Sequence, residues 1–306
     1  MFRAVTLGDV NMDLVVEAMD VPFGESSKLS GCYFKEIRSL VGGNGVFFAE
    51  AARQAGFSES YLLATVGYDE TRQLPDVAAQ TVINRLEKGG ITPLFSWDKH
   101  GTGKVIILYQ PDDNRIMFAD RGANAGFTLD NLPNGAQDIV QKASVFHVSG
   151  YTLLREEQRQ AAKHLMRLAK EAGVLTSVDI VPHDLFHTHD FDIVAKNTEF
   201  ARAICVEAST IMGLLRLEQV WEKSREAVLD RLMRVYEYCL IRVNSRSDFV
   251  IATRKKTLEF TIPYRQSMTS LRFTDTVYSN AILDFLRNGN KVYGLQKMIE
   301  SIRALL

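Results

Sequence analysis

The chain has 306 residues, of which 46% are hydrophobic and 24% charged, with a formal net charge of -1. These values are ordinary for a soluble globular protein, and the length suits one α/β core with an appendage. Because acids and bases are interspersed and nearly balanced, the composition argues against a nucleic-acid partner.

Neither a signal peptide nor a membrane span is expected. The first residues predict a strand that ends at Gly8, and no apolar run approaches the roughly 20 residues that a span needs. The cysteines Cys32, Cys205 and Cys239 are widely spaced and odd in number. This pattern favours reduced, buried thiols in a cytoplasmic protein over disulfides or metal ligands.

Strand and helix patterns alternate along most of the chain. The predicted strands are residues 2–7, 61–66, 145–149, 174–179, 191–195 and 239–243, with a hairpin of residues 248–253 and 257–263. The predicted helices are residues 45–56, 74–88, 156–172, 218–238, 275–287 and 291–305. This alternation indicates an α/β fold in one domain, residues 1–306, with a mostly parallel sheet covered on both faces.

Two insertions, at about residues 14–40 and 92–118, contain strand patterns without intervening helices. The candidate strands are residues 14–16, 34–38, 94–97 and 104–109. We expect them to pair into one small β-sheet that forms a lid over the main sheet, and a homodimer could form through its strands. Separate surface hairpins are the alternative interpretation.

Several polar or glycine-containing turns follow predicted strands, where ligands bind in open α/β sheets. In the turn GDVNMD (residues 8–13), Asp13 is a candidate acceptor for ligand hydroxyls. The pair Gly42 and Gly43, followed by Asn44, opens a helix and would let backbone approach a ligand closely. Each motif alone is common, so neither specifies a function.

Taken in order, the motifs resemble those of the ribokinase/PfkB family of sugar and nucleoside kinases, over essentially the whole chain. The matching segments are GDVNMD (8–13), GGNGVFFAEAARQAG (42–56), VGYD (66–69), RGAN (121–124), HVSGY (147–151), SVD (177–179), KNTEF (196–200) and DTV (275–277). The resemblance implies a ribokinase-like three-layer α/β/α sandwich with a small β-sheet lid. It also implies the substrate-binding positions Asp13, Gly42, Gly43, Asn44, Phe47 and Asp179.

The activity that this resemblance implies is transfer of the ATP γ-phosphoryl group to a hydroxyl of a sugar or nucleoside, with ATP and Mg²⁺ as cofactors. Such transfer needs a proton acceptor, backbone donors for the moving phosphoryl group and a metal. In the family, the last residue of the signature DTxGAGD is the base, and the glycine-rich amides at the following helix start form the anion hole.

This chain departs from the family at the positions that should handle ATP. Ala281 stands at the base position, so no intact catalytic residue is expected. The nucleotide and anion-hole positions are Asn197, Glu199, Asn244, Tyr278, Ser279 and Asn280. Phe47 replaces a sugar-contacting asparagine, and Phe200 replaces a metal-linked glutamate, with Glu199 one place early. The departures are concentrated where ATP and metal should bind, which indicates relaxed selection for phosphoryl transfer.

Two acids are weak substitutes for the missing base. Asp275 precedes the signature turn, where an N-cap role is the simpler interpretation. Asp284 follows Ala281 by three residues, nearly one helical turn. His183 and His187 have the i, i+4 spacing of metal ligands, but solvated loop histidines are favoured there, and no metal site is expected.

Three functions therefore remain open. The leading hypothesis is a pseudokinase that binds a small sugar or nucleoside and transfers phosphate slowly or not at all. The second is a working kinase with a relocated base, which would require ATP and Mg²⁺. The third is a scaffold protein that needs no cofactor and acts through the lid.

Overall fold

The computed structural model describes residues 1–17, 36–109, 115–180, 190–244, 247–262, 270–289 and 295–305. The strands within these residues are β1 Arg3–Leu7, β2 Asn11–Glu17, β3 Ile37–Gly42, β4 Glu59–Asp69, β5 Leu74–Pro75, β6 Ile91–Asp98, β7 Gly103–Tyr109, β8 Arg115–Asp120, β9 Val145–Ser149, β10 Leu175–Ile180, β11 Ala203–Glu207, β12 Tyr238–Arg242, β13 Asp248–Thr253 and β14 Lys256–Thr261. The α-helices within them are α1 Asn44–Ala55, α2 Val77–Lys88, α3 Ala136–Gln141, α4 Glu156–Glu171, α5 Phe191–Asn197, α6 Ala208–Leu214, α7 Trp221–Val235, α8 Ser270–Arg287 and α9 Leu295–Leu305.

The main sheet is mostly parallel. Its order is β6-β4-β1-β9-β10-β11-β12-β13-β14, and the short β5 pairs with the end of β4. Strands from β6 to β12 are parallel, while β13 and β14 form an antiparallel hairpin at one side. The carboxyl ends of the parallel strands therefore meet along one border, which we call the carboxyl edge.

Helices cover both faces of this sheet because side chains alternate along each strand. In β1, Val5 and Leu7 belong to a core shared with α4 and α7. Ala4 points the other way, into a core shared with α1, α8 and α9. The three-layer α/β/α sandwich that the sequence predicts is thereby confirmed.

The smaller sheet, which we call the lid, has the order β3-β2-β7-β8 and is separate from the main sheet, as predicted. The expectation that residues 94–97 belong to it is wrong, because β6 pairs in parallel with β4 of the main sheet. Helix α2 links β4 to β6, so these elements form a βαβ unit. The strand expected at residues 34–38 begins at Ile37, and residues 34 and 35 lie outside the described residues.

The strand predicted at residues 191–195 is wrong, since this segment is α5. The Asp190 side chain accepts a hydrogen bond from the backbone N–H of Ile193 and so caps the helix. Phe191 and Val194 are spaced by three residues and both enter the core. The next strand of the sheet is instead β11, which lies between β10 and β12.

Helix α8 begins before Asp275, contrary to the prediction that Asp275 opens the C-terminal helix. Phe273, Val277, Ala281 and Phe285 recur every four residues, and all are buried. This continuous apolar stripe packs α8 along α1 and the sheet. Asp275 is consequently an interior residue of the helix and cannot be its N-cap.

Cys205 and Cys239 are free and buried, as expected, whereas Cys32, His183 and His187 lie outside the described residues. Among the helices that the structure describes, none combines the length and apolarity that crossing a bilayer requires.

Candidate functional site

Asp13 lies in β2, directly after the end of β1, and is 7% exposed. The cross-strand partner of Asp13 in β3 is Leu40. Gly42 of the same strand lies against the carboxyl group, and a Cβ atom there would lie 1.9 Å from Oδ2 of Asp13. The glycine thus makes room for the carboxyl group, which differs from the expected role of admitting ligand to the backbone. Oδ1 of Asp13 is buried without a hydrogen-bond partner in the described part of the chain. Burial raises the pKa of Asp13 to about 6.

Gly43 joins the lid to α1 with a backbone φ of 101°. A side chain here would be strained, and its Cβ would lie 2.2 Å from the carbonyl oxygen of Asp9. The glycine pair therefore serves close packing of backbone and of Asp13 at the start of α1.

Asp179 lies next to the end of β10, on the same side of the sheet as α1. Its Oδ1 accepts a hydrogen bond of 2.8 Å from the backbone N–H of Gly150, and Oδ2 lies 3.4 Å from Nδ2 of Asn44. Burial raises the pKa of Asp179 to about 6, although these donors favour its ionised form. The structure thus brings Asn44 and Asp179 together at the carboxyl edge.

Tyr278 lies beneath this edge, in the core. Its ring is edge-on to those of Phe48 and His147, which stack with centroids 3.7 Å apart. Burial lowers the pKa of His147 to about 3, so the imidazole is neutral. The Tyr278 ring, 1% exposed, therefore fills protein interior.

The expected anion-hole residues Tyr278, Ser279 and Asn280 lie inside α8, as does Ala281. Backbone N–H groups at such positions donate to carbonyls of the preceding turn and are not available to a phosphate. The Asn280 amide and the Ser279 hydroxyl donate to the carbonyl of Thr276, at 2.8 and 3.1 Å. A helix interior thus occupies the segment where the family signature requires a helix start.

The two candidate replacement bases, Asp275 and Asp284, lie nine residues apart on α8. Asp275 is close to Asp179, and its pKa is raised well above the usual range, by burial and then by that neighbouring charge. Asp284 accepts a hydrogen bond of 2.9 Å from Nδ2 of Asn288. It lies near Tyr238, the first residue of β12, and so is far from the carboxyl edge.

Arg242 ends β12 and ties α8 to the sheet. It is 6% exposed, and Nη1 donates to Oγ1 of Thr274 at 3.0 Å. The same atom lies 3.4 Å from Oε1 of Glu207, and Nε donates to the carbonyl of Asn244. Asn244 therefore lies at the carboxyl edge, in a turn organised by Arg242.

Asn197 and Glu199 lie at the other border of the sheet. Phe200 follows them, and its carbonyl accepts a hydrogen bond from Thr176, near the start of β10. Glu199 pairs with Lys163 of α4 at 2.6 Å. Asn197 and Glu199 thus line a surface groove on α4 and α5. They are remote from Asp13 and Asp179 because KNTEF precedes β11, whereas the carboxyl edge follows it.

The sequence reasoning missed Arg272, which lies one turn before Asp275. Its guanidinium Cζ lies 5.1 Å from the centre of the Phe47 ring, and its charge interacts with that of Asp13. The four-residue apolar repeat of α8 begins at Phe273, two residues before Asp275. This repeat could have moved the predicted start of the helix upstream, towards Arg272. Phe47 is 7% exposed beneath this arginine.

It also missed a buried polar cluster around the first turn. Arg121 Nη2 lies 3.2 Å from both carboxylate oxygens of Asp9. The Asn124 side chain accepts from the N–H of Val10 and donates to its carbonyl, at 2.8 and 3.0 Å. The RGAN segment (121–124) therefore stabilises the β1–β2 connection through hydrogen bonds to Asp9 and Val10.

The residues present at the carboxyl edge fit a polar ligand better than they fit a nucleoside triphosphate. The unpartnered oxygen of Asp13 suits a hydroxyl donor. An ATP phosphate chain would need free backbone N–H donors near Tyr278 to Ala281. Within α8 these N–H groups donate to carbonyl groups of the same helix. Among the residues that the structure describes, no group of three or more acidic, histidine or cysteine side chains suits a metal ion.

The chain is similar to known carbohydrate kinases. The family model described as pfkB family carbohydrate kinase matches residues 1–225. "Probable fructokinase-5" of Arabidopsis thaliana is 25% identical over 177 residues, which are 57% of this chain and 49% of that protein. The chain thus spans about half the length of this curated relative.

Solved structures share the fold. Arabidopsis thaliana ribokinase complexed with ribose and ATP aligns with a TM-score of 0.74 at 17% identity, over 99% of this chain and 91% of that one. A putative ribokinase II from E. coli, in complex with ATP and Mg²⁺, gives 0.74 at 13% identity, with the same coverage. These structures support the ribokinase-like fold, and the match to the family model shows that this chain belongs to the pfkB family of carbohydrate kinases.

Proposed function

We propose that this chain binds a small polyhydroxylated ligand, a sugar or nucleoside, at the carboxyl edge, and that its phosphoryl transfer is weak or lost. Asp13 accepts ligand hydroxyls, while Asn44 and Asp179 complete the polar wall. This is the function of a pseudokinase that retains the family's binding cleft.

The observation that carries the proposal is the continuity of α8 through Ala281. The methyl group of Ala281 cannot accept a proton, and loss of a general base costs about 10²–10⁴-fold in rate. Loss of one anion-hole donor costs about 10²–10³-fold. Helix α8 provides neither the general base at position 281 nor free anion-hole donors. The proposed role is ligand binding, which does not require ATP and Mg²⁺.

Asp13 supports ligand binding by its environment. Its Oδ1 is shielded from solvent and lacks a donor in the described residues, and an unpaired buried carboxylate is costly. A ligand hydroxyl would supply that donor, and would favour the ionised form of the carboxyl group.

A working kinase is the second candidate, because Asp275 lies at the carboxyl edge beside Asp179. A raised pKa makes a carboxylate a better proton acceptor. In this case ATP and Mg²⁺ would bind at the same edge, and Asp275→Asn would abolish turnover. The position of Asp284, at the far end of α8, gives it no comparable support.

A homodimer through the lid is a further proposal. Leu14, Ile106 and Phe118 are paired across β2, β7 and β8, so they form one row on one face. They are 38, 41 and 56% exposed, respectively. A contiguous exposed apolar row of this kind is typical of a protein–protein contact.

The test of ligand binding is a thermal-shift screen with neutral sugars, nucleosides, ATP and ADP, with and without Mg²⁺. A ligand at about 100 times its Kd stabilises the native state by about 2.7 kcal/mol. We expect a shift with at least one sugar or nucleoside, lost in Asp13→Asn and kept in Asp130→Asn, which removes an exposed carboxyl group. No shift of the wild-type protein with any of these compounds would refute the proposal.

A further inference from the structure

Arg272 is a half-buried cation in the proposed cleft. It lies on α8 three residues before Asp275, and its side chain is 34% exposed. The guanidinium Cζ lies 5.1 Å from the centroid of the Phe47 ring. Contact with an aromatic face stabilises a guanidinium but leaves the N–H groups around its edge available to acceptors.

The residues that the structure describes do not saturate those donors. Among the described residues, the nearest carboxylate is that of Glu50, whose Oε2 lies 3.9 Å from Nη2 of Arg272, beyond hydrogen-bond distance. Arg85 already holds Glu50 with two hydrogen bonds of 2.6 and 3.0 Å. Within the described part of the chain, the Arg272 guanidinium therefore has no hydrogen-bond acceptor.

The unsatisfied acid of the cleft, Asp13, is close enough for its charge and that of Arg272 to act on each other. The two side chains form no hydrogen bond with each other in the described residues, and Oδ1 of Asp13 remains without a donor. Gly42 leaves no free volume on its side of the carboxyl group, because a Cβ atom there would overlap Asp13. An acceptor-poor cation and a donor-poor anion thus line the same cleft.

We propose that the ligand of this cleft is an acidic polyol, with a hydroxyl group that donates to Asp13 and a carboxylate or phosphate group that accepts from Arg272. This inference rests on the proposed function, since it specifies the ligand of the same cleft. The two binding groups are provided by β2 and α8, so one molecule would bridge the lid and the helical layer.

The helix extension connects this ligand class to the lost catalytic features. The turn of α8 that carries Arg272 belongs to the same continuous helix that encloses the amides of Tyr278 to Ala281. A guanidinium recognises carboxylate and phosphate groups through paired N–H donors. The cleft is therefore suited to recognise an acidic ligand, with no requirement to transfer phosphate to it.

The experiment measures the Kd values of matched neutral and acidic probes by calorimetry. The probes are ribose, ribose 5-phosphate, glucose, glucose 6-phosphate and gluconate. Charge-assisted hydrogen bonds predict that at least one acidic probe binds about 10–100-fold more tightly than its neutral counterpart. The phosphate and gluconate arms distinguish phosphorylated from carboxylated ligands.

Variants separate this inference from the proposed function. Arg272→Gln should abolish the preference for acidic probes, Arg272→Lys should retain part of it, and the exposed control Arg303→Gln should retain all of it. Equal binding of neutral and acidic probes, unchanged by Arg272→Gln, would overturn the inference and leave the proposed function standing. Failure of every probe to bind, while a neutral sugar or nucleoside stabilises the wild-type protein in the thermal-shift screen, would overturn the inference alone. Failure in both experiments would contradict both.

Discussion

Asp13 and Gly42 are packed so tightly that a Cβ atom at position 42 would lie 1.9 Å from the Asp13 carboxylate. Gly42→Ala must displace this acid, and overpacking of this kind costs about 1–3 kcal/mol of unfolding free energy. We expect the variant to fold but to lose ligand binding, as measured by calorimetry. Gly101→Ala is the control, because its Cβ would have only an ordinary contact, 3.7 Å from Asp76. Wild-type affinity in Gly42→Ala would show that Asp13 does not contact the ligand.

Restoring the missing acid at position 281 should damage the protein without restoring catalysis. Ala281 is 1% exposed and packs in the core beside the sheet. An unpaired buried carboxylate there should lower the free energy of unfolding by about 3–5 kcal/mol. Urea denaturation would measure this loss, and Gln54→Asp, at an exposed position of α1, should cost far less. A stable Ala281→Asp protein with kinase activity would contradict the position of α8.

Asp179 should give the stability of the protein a specific pH dependence. Burial raises its pKa to about 6, so the native state keeps a proton between about pH 4 and 6 that the unfolded chain has released. This contribution to stability is present below pH 4 and is lost as the pH rises, by up to about 1.4 kcal/mol per pH unit. His147 acts in the opposite sense, because burial lowers its pKa to about 3.

Comparison of Asp179→Asn with the wild type tests the Asp179 contribution to this pH dependence. The opposing contribution of His147 is present in both the wild type and Asp179→Asn. The free energy of unfolding of Asp179→Asn should therefore increase relative to that of the wild type as the pH rises from 4 to 6. Relief of the raised pKa of Asp275 works in the same direction. Asp130→Asn should stay parallel to the wild type. Parallel urea-denaturation profiles for Asp179→Asn and wild type would rule out a raised pKa at Asp179.

The exposed row on the lid predicts an effect on assembly. Phe118→Glu places a charge beside Ile106 on the face that we propose as a dimer contact. Light scattering after size exclusion should find a wild-type dimer and a Phe118→Glu monomer with unchanged circular dichroism. Lys255→Glu, in the turn between β13 and β14, should remain dimeric. A wild-type monomer at high concentration would exclude the contact.

The bounds of strands and helices were predicted best where the apolar periodicity and the flanking turn residues indicate the same element. Strand β9 has the predicted bounds, β1 and α4 differ from prediction by one residue at one end, and α1 differs by one residue at each end. The short run 191–195 was misassigned because such runs fit either type of element. Its Asp190 cap and the spacing of Phe191 and Val194 favoured a helix. The strand that lies between β10 and β12 in the sheet is β11.

The candidate site was only partly predictable. Motif order located Asp13, Asn44 and Asp179 at one edge, because parallel strands end together. The start of α8 was missed because Asp275 resembles a cap, although Phe273 continues the buried stripe upstream. The contact of Arg272 with Phe47 depends on that start, and so no local motif could reveal it.

The most direct test of the central claim is a single assay of ADP release, made with purified protein, Mg²⁺-ATP and a panel of sugars, nucleosides and their acidic derivatives. An active pfkB-family kinase under identical conditions calibrates the assay. The continuous helix at Tyr278 to Ala281 predicts turnover at least about 10²-fold below that kinase, with no further loss in Asp275→Asn. Turnover comparable to the active kinase, abolished by Asp13→Asn or Asp275→Asn, would contradict the account.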